Sequence, residues 1–141
     1  MAVWWHLARC FSLLARDCDR VLAHWGITGA QFGVLSCIEA AGGSLPLSQI
    51  GDRMLVTCAN ITGVVDRLER EGLVVRERVQ DDRRVILACI TETGRQLVHE
   101  AHEALVDHVG GLLQFVEPEE RRELARQLER IHRHLREGSS P

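Results

Sequence analysis

Over the first 25 positions apolar residues recur at Trp4, Leu7, Phe11, Leu14, Cys18, Val21 and Trp25, in alternating steps of three and four. That period lays a narrow apolar seam along one long helix, and Gly26 stands where a helix ends on a left-handed residue. Trp5 and Leu22 widen the stripe, so part of it can face the chain's own core. Thr28 and Gln31 have the spacing of a capping box, with Ile27 and Phe32 as a hydrophobic staple, and so open a second helix. Its inward positions are Phe32, Val34, Leu35 and Ile38, and Ala40-Ala41-Gly42-Gly43-Ser44 ends it. A short third helix is predicted from about Leu47 to Leu55, with Pro46 in its first turn. Val56-Thr57 is then a turn, and Thr57 caps a fourth helix that places Ile61, Val64, Val65 and Leu68 on one face and stops at Gly72.

The pattern next changes to β-branched runs, Leu73 to Val79 and Val85 to Ile90, joined by the acidic-basic tip Asp81-Asp82-Arg83-Arg84. Thr91 caps a long helix with Leu97, Ala101, Ala104, Leu105, Val109, Leu112 and Val116 as its apolar face, and Gly110-Gly111 predicts a kink or break in it. Glu117-Pro118-Glu119-Glu120 starts a last helix, with Pro in the first turn and acids favoured by the helix dipole. That helix runs to about Arg136 and is expected to bury Leu124, Leu128, Ile131 and Leu135. The fold class is therefore mainly α with a small β-wing, in one domain over residues 1–141. A helix followed directly by an Arg-tipped hairpin has the layout of a winged helix-turn-helix.

Composition constrains this picture less than the pattern does. The chain has 141 residues, enough for a core without staples. Its longest charge-free stretch, Val21 to Ile38, is interrupted by His24, Gly26, Thr28, Gly29 and Gln31, which makes it a helix end and a helix start rather than a membrane span. The N-terminus lacks the pattern of a signal peptide, and the five cysteines, an odd number without framework spacing, suit free thiols in a reducing compartment. A cytoplasmic location, in a bacterium or archaeon, is expected. The net charge of −3 argues against nucleic acid only if taken globally, because a winged domain places one face on DNA. All 17 basic residues are Arg, and Arg forms bidentate contacts to phosphate and guanine that Lys does not match.

On the fourth helix Thr57, Ala59, Asn60, Gly63, Arg67 and Arg70 lie largely off the apolar face, and Thr62 stands on the same helix. A small, polar helix surface of this kind suits a major groove: Asn reads adenine, Thr contacts a base or phosphate, and Gly permits close approach. An ordinary amphipathic surface helix has the same pattern, and a charged hairpin tip is commonplace, so the case rests on their succession. The hairpin tip carries Asp82 and Arg84 two apart with Arg83 between them; an Arg on such a tip can enter a narrow minor groove, where an acidic neighbour helps only if it orients the guanidinium. No Ser-His-Asp arrangement, phosphate loop or dense metal cluster points to an enzyme, and no cofactor is expected. His99 and His102, with His108 beyond, supply two metal ligands at helical spacing where three or four are needed.

The run from Ala59 through Asn60-Ile61-Thr62-Gly63 and Asp66-Arg67-Leu68-Glu69 to Gly72-Leu73-Val74 resembles the recognition helix of the MarR family, the multiple antibiotic resistance regulators. Asp82-x-Arg84, followed after six residues by Thr91-x-x-Gly94, resembles that family's wing signature. The resemblance implies a DNA-binding transcriptional regulator, commonly a repressor, that binds a pseudo-palindromic double-stranded operator as a homodimer and answers to a small-molecule effector of unknown identity. It implies a winged lobe over 28–94, with a recognition helix near 57–71 and a wing near 73–90. Residues 1–26 and 95–136 would be dimerisation helices, with Trp4, Leu7, Phe11, Leu14, Leu128, Ile131 and Leu135 at the interface. Arg84 would be the minor-groove arginine and Asp82 its orienting partner.

Two alternatives stay open beside that reading. One is a cysteine-based redox sensor of the same fold. Relatives that sense peroxides do so through a cysteine near the start of the first helix with tyrosine partners, but Trp4 falls at that position and the chain has no Tyr. Cys10 and Cys18 are roughly 12 Å apart along a helix, too far to bridge. Cys18 on the seam and Cys58 in the first turn of the fourth helix are the redox candidates. The other alternative is a winged-helix protein-interaction module that binds no DNA.

Overall fold

The computed structural model describes residues 2–54 and 58–138. Thr57, expected as the cap of the fourth helix, lies outside the described residues, as do the side chains of Cys58 and Ala59. The chain divides into two compact units, Met1–Leu105 and Val106–Pro141.

The first unit opens with helix α1, Ala2–Leu22, and a short 3-10 turn, Ala23–Trp25, closed by Gly26 at φ 70°. Helix α2, Gly29–Ala40, begins at the expected capping box. Gln31 N donates to Thr28 Oγ1 at 3.3 Å, and Thr28 N donates to Gln31 Oε1 at 3.0 Å. Strand β1 (Ser44–Pro46), helices α3 (Leu47–Met54) and α4 (Cys58–Arg70), strands β2 (Val74–Arg78) and β3 (Ile86–Ile90) and helix α5 (Glu92–Leu112) follow. The sheet order is β1-β3-β2, all antiparallel, with Ser44 opposite Cys89 and Val74 opposite Ile90. The core is where α2, α3 and α4 meet the sheet and the start of α5. Val34, Leu35, Ile38, Ile50, Val65, Leu68, Val74, Ala88 and Ala101 are fully enclosed there.

The structure corrects the sequence reading at three places in this framework. Pro46 is the last residue of an edge strand, not the first turn of a helix, and it pairs with Leu87. An edge strand accommodates proline because one side of it needs no ladder donor. Val98 joins the core beside Ala101 although the periodicity did not select it. Val116, read as part of the apolar face of α5, lies beyond it, because the helix ends at Leu112, directly after Gly110-Gly111; two glycines cost a helix about 2 kcal/mol in propensity.

The second unit holds the end of α5 and helix α6, Pro118–Glu137, which starts on a Glu117/Glu120 capping box with Pro118 in its first turn. Leu124, Leu128, Ile131 and Leu135 were expected to be buried, yet all four are exposed in the single chain, Leu135 by 62%. An amphipathic helix of one chain can carry a regular apolar face with nothing to cover it. Helix α1 does the same with Trp4, Leu7, Phe11 and Leu14, whereas its last residue, Leu22, is buried. Of the two residues that widened the α1 stripe, Trp5 faces outward with the Arg9 guanidinium 5.8 Å from its ring centre. Trp25 is half-buried and donates from Nε1 to Glu100 Oε2 at 3.3 Å.

Candidate nucleic-acid interface

Helix α4 holds its place because Ile61, Val65 and Leu68 are buried on one side, which turns Asn60, Thr62, Gly63 and Arg67 outward. Among the described residues nothing lies within 4 Å of where a Cβ on Gly63 would stand, so the backbone is open to close approach there. A shallow groove lined by Thr28, Gln31, Asn60, Gly63, Val64 and Arg67 runs between this face and the start of α2. Gln31 is 3% exposed and donates from Nε2 to Glu71 Oε2 at 2.9 Å, tying the end of α4 to the start of α2.

The hairpin tip is shaped by backbone bonds. Val85 N donates to Asp82 O at 3.0 Å, and Val79 N to Val85 O at 3.2 Å. The Asp82 carboxylate accepts from the backbone N–H of Arg84 at 3.0 Å, not from its guanidinium as the sequence suggested. An Asp side chain two residues before an N–H closes such a turn readily, and that local bond competes with the longer reach to a guanidinium. Asp82 thus fixes the backbone that carries Arg84. Arg78, at the end of β2, donates from Nη1 to Arg83 O at 3.3 Å and braces the tip from below. The guanidinium groups of Arg83 and Arg84 are exposed, and among the described residues they have no hydrogen-bond or ion-pair partner; the same is true of Arg67.

Arg76 joins the two elements, and the sequence reading missed it. On β2 it shares a face with buried Val74, and its half-buried side chain reaches along α4. It meets Asp66 Oδ1 at 2.5 Å through Nη2 and Glu69 Oε2 at 2.8 Å through Nη1, while its backbone N–H donates to Glu69 Oε1 at 3.2 Å. Nη2 also lies 3.4 Å from the carbonyl oxygen of Thr62. Burial works against the charge on Arg76, but the bonds to Asp66 and Glu69 and their negative field outweigh it and push the guanidinium above its ordinary range. Asp66 and Glu69, three apart on a helix and followed by an Arg on the next strand, were the available signal.

The redox candidates lack activation where the structure describes them. The Cys18 thiol is pushed up by burial and by the carboxylates of Asp17 and Asp19, the reverse of what makes a reactive thiolate. Cys37 is pushed up by burial, partly offset by Arg53, and Cys89 by burial and Glu77. His99 Nε2 lies 3.3 Å from Glu39 Oε1, which also pairs with Arg95. No group of three or more metal-binding side chains forms among the described residues.

Residues 27–86 match the sequence profile of the MarR family. The chain is 34% identical over 116 residues to the HTH-type transcriptional regulator MhqR of Bacillus subtilis, covering 80% of this chain and 79% of that protein. Its fold is similar to that of Sco5413, a MarR family transcriptional regulator from Streptomyces coelicolor, with a TM-score of 0.84 at 30% identity over 96% of this chain and 94% of the other. It is also similar to an E. coli MarR variant crystallised with operator DNA, with a TM-score of 0.76 at 25% identity over 89% and 92% of the two chains.

Proposed function

The chain belongs to the MarR family of transcriptional regulators, and from that premise we propose that it binds a pseudo-palindromic operator as a homodimer and represses transcription until an effector releases it. One observation carries the reading. The polar face of α4 and a hairpin tip with exposed Arg83 and Arg84 are held together on one lobe, as a reader of a major groove and its flanking minor groove requires. Asn60, Thr62, Gly63 and Arg67 are assigned to the major groove, together with Thr57 and Ala59. Arg83 and Arg84 are assigned to the flank, on a turn fixed by Asp82.

Two-fold symmetry is needed to place two such lobes one helical turn apart on DNA. The uncovered apolar faces of α1 and α6 support residues 1–26 and 95–136 as the dimerisation helices. The effector is proposed as a small molecule. A thermal-shift screen with phenolics, oxidants and metals would rank its chemical class, because a ligand that binds only the folded protein raises the melting temperature.

The decisive experiment is salt-dependent binding to duplexes selected from random sequence by the protein itself. Specific affinity is expected on the order of 10⁻⁸ M or tighter, falling steeply with salt as counterions are released. Arg84→Ala should lower the salt slope by about one and weaken A·T preference at the flanks, while Asn60→Ala should relax base preference within the half-site. Binding indifferent to both salt and sequence, or none at all, defeats the proposal and leaves a protein-interaction module.

A further inference from the structure

We propose that Arg76 is a positioning residue for DNA recognition: by bridging β2 to Asp66 and Glu69 it makes the hairpin and α4 one rigid reader. The inference rests on the DNA-binding reading above and adds to it how the two contacts are coupled.

A hairpin joined to its domain only at the base is free to swing, and a swing of the hairpin moves Arg84 relative to Asn60 and Arg67. Three features of Arg76 oppose this. Its contacts to Thr62, Asp66 and Glu69 run along nearly two turns of α4, so they fix an angle rather than a single point. Both its side chain and its backbone N–H engage Glu69, which ties the strand as well as the side chain. The planar fork of Arg can hold two carboxylates at once, whereas Lys presents a single point charge.

The bridge also eases an electrostatic problem. Asp66 and Glu69 are exposed on the helix assigned to DNA, and free carboxylates there would repel phosphate. With Arg76 between them, one positive charge faces two negative ones, and Arg67 and Arg70 follow on the same helix. Arg76 is thus spent inside the protein, and its effect on DNA is indirect.

The test uses the full-length protein and a duplex it has selected from random sequence, beside the same duplex with one base pair inserted between the half-site core and its A·T flank. A rigid reader should reject the insertion, with wild type binding it at least about tenfold more weakly. Arg76→Met should lower that discrimination to about twofold. In the Arg76→Met background, Arg84→Ala should cost much less than it does in wild type. Asp66→Asn/Glu69→Gln, which leaves Arg76 in place and keeps side-chain shape, should lose the discrimination in the same way. Arg76→Lys should recover only part of it. This double variant keeps the question answerable if Arg76→Met does not fold. A general structural role would lower melting temperature and affinity for both duplexes alike, leaving their ratio unchanged. An unchanged ratio, or fully additive losses for Arg76→Met and Arg84→Ala, overturns the proposal. If wild type selects no duplex, the DNA-binding reading itself has failed, a different outcome from a wild type that binds and a bridge that does not matter.

Discussion

Gly94, the last residue of the Thr91-x-x-Gly94 pattern, allows a sharp test of how the wing is joined to α5. It is buried in the first turn of α5, and a Cβ built there would lie 2.2 Å from the carbonyl oxygen of Leu73 and 3.0 Å from Ile90 Cγ1. Thr91 fastens the same junction. Its N–H donates to Leu73 O at 3.0 Å, and its hydroxyl donates to Gly72 O at 2.8 Å. That hydroxyl oxygen also accepts from Gly94 N at 3.1 Å. Ordinary contact begins near 3.4 Å, so Gly94→Ala must open the junction by about 1.2 Å against a backbone atom that has no rotamer to yield.

Overpacking of this kind costs typically 1–3 kcal/mol, and displacing Leu73 O weakens one hydrogen bond worth about 1 kcal/mol. The expected loss is therefore about 2–4 kcal/mol, or on the order of 10 °C in melting temperature. Gly63→Ala is the matched control. It makes the same chemical change inside α4 with no described atom within 4 Å, and should stabilise by about 0.5–1 kcal/mol. Both substitutions alter the unfolded chain alike, so their opposite signs isolate packing. Urea unfolding at one fixed protein concentration reads both, with equal slopes showing that the unfolded state is comparable. A Gly94→Ala midpoint within error of wild type, or a Gly63→Ala loss of similar size, would refute the reasoning.

Other consequences can be measured with the same variants in hand. Thr28→Ala removes one half of the α2 capping box and should cost about 1 kcal/mol; Gln31→Ala should cost more, because buried Gln31 also holds Glu71. A thiol whose folded pKa is raised stays protonated as pH climbs through the range where it ionises in the unfolded chain. Iodoacetamide should accordingly alkylate Cys18 more slowly in native than in denatured protein at pH 8.5, and equal rates would count against its assigned surroundings. Leu128→Glu/Ile131→Glu should shift the sedimentation of the protein from dimer to monomer, because two-fold symmetry would place each charge in the interface twice. A dimer of undiminished stability would remove α6 from the proposed interface.

What could be read from the chain was what is local. The Thr28/Gln31 box, the Gly26 stop and the Thr91 cap each depend on residues at most four apart, and all three appear in the structure. Strand β1 could not be read, being three residues long and paired with residues more than forty positions away. Arg76 could not be singled out either, because its partners lie on the preceding helix. For Asp82 the spacing points to Arg84, but spacing does not distinguish a backbone N–H from a guanidinium, and it is the N–H that the carboxylate meets. On α6 the periodicity correctly marked an apolar face, but no pattern in one chain says what covers it.

The net charge of −3 can be reconciled with DNA binding once the acids are followed to their partners. Asp66 and Glu69 are held by Arg76, Glu71 by Gln31, and Asp82 by a backbone N–H. On α6, Glu119, Glu123 and Glu129 pair with Arg122, Arg126 and Arg133 within the helix. Near the proposed interface Arg76 offsets part of the charge of Asp66 and Glu69, while Arg67, Arg83 and Arg84 have free guanidinium groups among the described residues. Phosphate responds to charge within about one Debye length, roughly 8 Å at physiological salt. The field it meets is therefore set by the charges on that face, these arginines among them, and not by the total for the chain. It follows that charge should matter by position: neutralising an arginine on α6 should leave operator affinity nearly unchanged, whereas the same loss at Arg67 or Arg84 should weaken it and flatten its salt dependence.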